Sequence, residues 1–333
     1  MKMKRMLIYL TVFTFILAAS VFADDFSKTG TVGAQFLKIG VGSRYQGLGE
    51  ASVAVVNDAY SMYWNPAGLA YIESSNLTFT NVNWITDIAL NYISFGTRVE
   101  GLGVIGLSAT LLTMGDMEIT TVDEPDGTGQ TFTASDFSMS VGFARHLTTR
   151  LTFGAAIKYV HESIYNETAS GIAFDFGTQL NTGFKSLRLG MNISNMGPSM
   201  KFSGPDLISS LDIEAGANDD GTALVEDYDL PLTFRLGIAY DFMSNADSRW
   251  TWAAEAKHPN DADQQASLGS EFAWQEKYFL RAGYKLNYDE QGLTLGGGLE
   301  TEVGNNTILQ IDYAWSNFDY LESVHRFSLG FCF

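Results

Sequence analysis

The side chains with the most reactive chemistry are few and scattered. The four histidines, His146, His161, His258 and His325, have no ligand-like spacing, so neither a zinc site nor a Ser-His-Asp relay can be read from them. Gly101-Leu102-Gly103-Val104-Ile105-Gly106 has the spacing of a dinucleotide-binding loop. Such a loop must open a helix inside a strand-helix-strand unit, whereas this one follows a strand-like stretch and runs into another, Leu107 to Leu112. It reads as a glycine-rich hairpin. Asn218-Asp219-Asp220-Gly221, with Glu226, Asp227 and Asp229, offers oxygen ligands for Ca²⁺ without the spacing of a calcium loop, and a solvated acidic loop is the better reading. The single cysteine, Cys332, excludes an intrachain disulfide and suits a small filler on an inward strand position. These residues point to no enzyme, no cofactor and no metal site.

The elements that carry them read as strands. From Asn76 onward about fourteen stretches alternate with period two, near 76–84, 90–99, 102–112, 135–146, 150–162, 171–181, 185–195, 231–242, 248–257, 267–275, 278–287, 293–302, 306–315 and 324–333. Each is close to the roughly 9 to 11 residues that a tilted strand needs to cross a bilayer. In the clearest, Leu232, Phe234, Leu236, Ile238, Tyr240 and Phe242 interleave with Thr233, Arg235, Gly237, Ala239 and Asp241, so one face suits lipid and the other does not. In the last, Phe327, Leu329, Phe331 and Phe333 share the apolar face. Tight links such as Glu100-Gly101 and Leu147 to Thr149 alternate with long ones, notably 113–134 and 196–230. The pattern predicts an all-β fold, a transmembrane antiparallel up-and-down barrel of about fourteen strands with its long acidic links outside the cell. A soluble β-sandwich also has many short strands, but it needs neither lipid-compatible outer faces nor a leader. The inward faces carry glycines, among them Gly154, Gly177, Gly190 and Gly283. They also carry charges of both signs, including Lys158, Asp175, Arg235, Glu255, Glu271, Arg281, Lys285 and Arg326. Such a mixture is expected to pair internally or to hold an internal segment rather than to select an ion.

The N-terminus sets the compartment. Lys2, Lys4 and Arg5 precede an apolar run from Met6 to Ala19 and the small-flanked Val21-Phe22-Ala23, the pattern of a secretory signal peptide over 1–23 cut near Ala23. The run is too short for a spanning helix. Losing those three basic residues takes the formal net charge from -18 to about -21, so a nucleic-acid partner is not expected, because its phosphates must be neutralised by Lys and Arg. The expected address is the cell outer membrane of a Gram-negative-type bacterium.

Residues 24–75 do not alternate, and Gly30, Gly33, Gly40, Gly42, Gly47, Gly49 and Gly68 punctuate a modestly apolar stretch. A free domain of that size would bury too little core. The economical placement is an N-terminal plug in the lumen of the barrel formed by 76–333. The stretch from Phe36-Leu37-Lys38-Ile39-Gly40-Val41-Gly42-Ser43-Arg44 through Gly47-Leu48-Gly49-Glu50-Ala51 to Asn57 to Ala70, with Asn65-Pro66-Ala67-Gly68 inside it, closely resembles the N-terminal signature of the PorV/PorQ family of FadL-like outer-membrane barrels. Tyr45-Gln46 departs from it, standing where relatives usually have small residues. The resemblance implies fourteen strands with an N-terminal plug. Pro66 disfavours a helical Asn65 and the Asn65 side chain can cap nearby amides, so the pair makes a rigid corner.

The resemblance implies two functions. One is a shuttle or attachment partner in type IX protein secretion, binding exported proteins or secretion components through 113–134 and 196–230. The other is FadL-like passive transport of a hydrophobic ligand, for which FadL-like transporters use a kinked third strand as a side exit; here that strand holds Gly101 to Gly106. Expected partners in either case are outer-membrane lipid and the barrel assembly machinery, which commonly reads a final aromatic strand.

Overall fold

The computed structural model describes residues 30–86, 88–207, 225–304 and 307–333. The leader 1–23, its cut near Ala23, and residues 208–224 of the longest link lie outside the described residues. The strands are β1 (Ser75–Asn83), β2 (Ala89–Val99), β3 (Gly103–Thr113), β4 (Met117–Glu118), β5 (Thr131–Phe132), β6 (Ala134–His146), β7 (Leu151–Ile164), β8 (Glu167–Asn181), β9 (Arg188–Met196), β10 (Thr233–Ser244), β11 (Ser248–Pro259), β12 (Gln265–Trp274), β13 (Tyr278–Leu286), β14 (Gln291–Val303), β15 (Thr307–Phe318) and β16 (Val324–Cys332). Fourteen of them close into one antiparallel barrel, while β4 and β5 pair separately within the link from β3 to β6. The ring is sealed by β1 and β16, with Leu77 opposite Phe331 and Phe79 opposite Leu329.

The wall follows from the pleat. Successive side chains of a strand point to opposite faces, so on β13 Tyr278, Leu280, Tyr284 and Leu286 are exposed while Arg281, Gly283 and Lys285 are buried. β7 and β8 run longer than a bilayer crossing requires. Residues 167–170 lack apolar alternation but pair through their backbones with β7, Ser163 opposite Thr168 and His161 opposite Ser170. Register shifts fall at Phe174/Phe176, Asp241/Met243 and Gln291/Thr294. By contrast β3 pairs without a break to both β2 and β6, so the third strand has no kink or side opening of the kind the FadL resemblance implied.

Residues 33–72 lie within the ring. They form only short pieces: 3-10 turns at Gln35–Lys38 and Pro66–Tyr71 and helical turns at Ser43–Gly47 and Ser61–Trp64. Gly42, at φ +79°, and Pro66 break the chain between them. Val41, Tyr45, Val53, Trp64 and Leu69 are fully buried. They are too few to make a core alone and pack instead against the inward faces of the wall.

Candidate functional site

The Asn65 corner shows how the wall and the lumen segment fit. Asn65 is extended, its Oδ1 accepts from Ala67 N at 3.1 Å, and its Nδ2 donates to Val53 O at 2.8 Å and to Thr178 O of β8 at 3.1 Å. Pro66 then opens the 3-10 turn, where its missing N–H costs nothing. The approach is possible only because the wall is bare here. A side chain at Gly177 would collide with Asn65 Oδ1, and one at Gly154 with the backbone of Pro66 and Ala67. At Gly68 a side chain would strike Ser61 and Val56, and at Gly40 it would strike Gln46. Gly49, at φ +65°, lies against the backbone of Tyr284 and Gly283 on β13. The glycine stripe of the wall is the imprint of the lumen segment.

Charges complete the fit. Arg44 grips Glu271 of β12 through Nε at 3.0 Å and a second nitrogen at 3.3 Å and also donates to Asn57 at 3.0 Å. Glu271 is shared with Arg249 at 3.0 Å and Arg281 at 2.8 Å, and Arg281 also bonds Asp312. Glu255 takes Arg235 at 2.9 Å and receives Ser52 N at 2.8 Å and Val53 N at 2.9 Å. Glu50 of the lumen segment meets Lys285 at 2.7 Å and Lys257 at 4.0 Å. Lys158 pairs with Asp175 and Arg188 with Asp241. Buried charges persist only when paired in this way. At the long-link end Lys38 bonds Asp261 at 2.9 Å. Burial raises the pKa of the Asp261 carboxyl, but bonds from Lys38 and Gln35 outweigh it and hold the group below its usual range.

A run of hydroxyls ties the same segment to the seam. Tyr60 bonds Thr80 of β1 at 2.6 Å, Thr80 bonds Ser328 of β16 at 2.8 Å, and Ser328 accepts from Ser43 N at 2.9 Å. Asn76 of β1 accepts from Ala59 N at 2.7 Å, and Arg326 of β16 donates to Gly40 O at 3.2 Å. Phe327, Leu329, Phe331 and Phe333 point outward on the same seam, half exposed to the membrane side.

Sequence reasoning singled out Asn65, Pro66, Ala67, Gly68, Arg44, Gly40 and Gly42, and all sit in this packed interior. Glu255 stood among the inward charges expected to pair or to hold an internal segment, and Glu50 and Tyr60 lay in the signature without a role, while Gln179 and Asn192 were not singled out. Gln179 donates to Val53 O and Val56 O, and Asn192 to Trp64 O. Glu50 had a readable signal: a carboxylate inside an apolar, glycine-rich block has to find cations when buried. Among the described residues one cavity of about 360 Å³ lies at the short-turn end beside Arg44, Asp58 and Asp312, and another of about 600 Å³ at the long-link end beside Glu50, Trp84 and Phe318. The packed segment lies between them. The glycine motif at Gly101 to Gly106 is a turn and the start of β3.

The fold has known counterparts. The toluene transporter TodX of P. putida is 13% identical with a TM-score of 0.58, covering 88% of this chain and 98% of its own. The CymD monoaromatic hydrocarbon channel is 14% identical with a TM-score of 0.54, covering 88% and 96%. A Pseudomonas aeruginosa FadL homologue is 11% identical with a TM-score of 0.53, covering 87% and 97%. Identities this low establish a shared FadL-like barrel and no more. No curated protein matches. The family model described as Type IX secretion system protein PorV matches residues 22–258, a span that takes in the whole lumen segment and the wall through most of β11. By that match, on an outer-membrane barrel of FadL-like shape, the chain belongs to the PorV family.

Proposed function

We propose that this barrel serves type IX secretion as a shuttle or attachment partner, holding exported proteins or secretion components at the cell surface through its links 113–134 and 196–230. The family match over 22–258 carries the reading. The interior supports it: residues 33–72 act as a plug fixed by ion pairs and hydrogen bonds to the wall. The protein works by binding, without catalysis. Its leader is cut near Ala23, its long links face outside, and the barrel assembly machinery reads its last strand.

The second reading, passage of a hydrophobic molecule, draws on the likeness to TodX and CymD and on the apolar side of the outer cavity. Affinity purification of the tagged barrel from its native membranes separates the two. Exported proteins or secretion components should co-purify, and deletion of 114–133 should reduce them. A barrel that brings down neither but retains a hydrophobic molecule overturns the secretion reading.

A further inference from the structure

The cavity at the long-link end has an uneven charge balance. On its wall Asp136 of β6 and Glu162 of β7 are register partners, both pointing inward. Like charges directly opposite on neighbouring strands repel. Glu162 is held by Ala34 N at 3.0 Å and by Tyr228 at 2.7 Å, whereas Asp136 has no hydrogen bond or ion pair among the described residues. Glu290 Oε2 and Gln265 Oε1, which line the same cavity, are shielded from solvent and unpartnered. Among the described residues one unmet group here, the Tyr288 hydroxyl, can donate, and the others are acceptors. The basic groups nearby are committed elsewhere: Lys38 to Asp261, Lys257 towards Glu50 at 4.0 Å, and Lys158 on the strand of Glu162 to Asp175 at 2.9 Å. The rest of the lining is mixed: Gln35, Glu50, Tyr288, Asp289 and Gln291 are polar, and one side is apolar, with Leu112 beside Asp136 in register and Trp84 meeting Phe318 edge to face at 5.4 Å.

We propose that this cavity binds a cationic amine carried on an apolar body, the ammonium at Asp136 and Glu162 and the body against Leu112, Trp84 and Phe318. Asp136 and Glu162 are partly buried, a charge-assisted bond from an ammonium to a carboxylate is stronger than a neutral one, and an aromatic and aliphatic wall holds its hydrocarbon. The amine has two sources, a free amphiphile or a lysine side chain of a polypeptide. The site stands independently of the secretion reading.

The test uses the full chain in nonionic detergent, titrated calorimetrically with hexylamine, hexanol and hexanoate. Hexylamine should bind at least about tenfold more tightly than hexanoate, and Asp136→Asn should weaken hexylamine about tenfold while leaving hexanol unchanged. Equal or tighter binding of hexanoate, or hexylamine binding indifferent to Asp136→Asn, overturns the proposal. If the variant does not fold, the amine-to-carboxylate contrast on the unaltered barrel decides. A short apolar peptide with one lysine then competes against its norleucine counterpart. Displacement of hexylamine by the lysine peptide alone assigns the source to a polypeptide, and failure of both peptides assigns it to a free amine.

Discussion

Asn65 and Glu50 show what single side chains contribute to this interior. Asn65 makes three hydrogen bonds, two of them fully buried, and alanine there leaves Ala67 N without its acceptor and takes a donor from the carbonyls of Val53 and Thr178. Each orphaned polar group costs about 1–3 kcal/mol, so Asn65→Ala should lower the unfolding midpoint of the folded barrel in heat-mobility assays, and Asn65→Ala with Pro66→Ala should lower it further. Unchanged heat resistance, assembly and activity in the double variant would show that the corner does not fix the segment. Glu50→Gln leaves Lys285 and Lys257 buried without their carboxylate. Breaking a buried pair from one side costs about 3–5 kcal/mol, and removing Lys285 as well, by Lys285→Met, should restore part of it. Asp261 supplies a pH signature. Its carboxyl is depressed in the folded state, so its contribution is present above the ordinary value of 3.8 and fades as the pH falls through the lower folded value. Pepsin should cut within 30–38 increasingly as the pH drops below that value, while Asp261→Asn should be cut across the whole acid range.

At the scale of elements the last strand carries the sharpest test. β16 closes the ring on β1, and Ser75 and Phe333 exchange backbone hydrogen bonds at 2.9 and 3.0 Å. Deleting Phe331 to Phe333 removes outward aromatic surface and the end of the seam together. Less folded barrel should reach the membrane, while molecules that do fold keep an unaltered outer cavity; loss of binding in those folded molecules would contradict this division. The strands were legible in the sequence because period-two alternation is a local signal, and the fourteen segments fall within a few residues of their observed positions. β8 was read short because residues 167–170 pair with β7 without an apolar alternation, and side-chain pattern does not report such pairing. The corner at Asn65 was legible through proline chemistry. The partners of the lumen segment were not: Glu255 meets Ser52 and Val53 from about two hundred residues away, and in sequence it resembles any other inward charge.

The whole molecule is a ring whose interior is occupied by its own N-terminal residues. In planar bilayers the intact barrel should show no stepwise conductance, and a chain lacking 33–72 should either conduct or fail to insert. Steady open-pore currents from the intact barrel would mean that the packed segment leaves the lumen. An acidic chain with mixed internal charges predicted pairing in general terms. Which groups stay unpaired among the described residues, as Asp136 does, depends on how the ring closes, and that is a property of the closed shape alone.

The hydroxyl run from Ser43 through Ser328 and Thr80 to Tyr60 also dictates an order of events. A packed segment of some forty residues tied both to β1, at Asn76 and Thr80, and to β16, at Arg326 and Ser328, is expected to take its place while the edges of the first and last strands are apart. The portion synthesised earliest thus becomes a mandrel around which the latest portion is wrapped. Those two edges pair through their own backbones, and the mandrel between them adds the side-chain bonds that tie both of them to it.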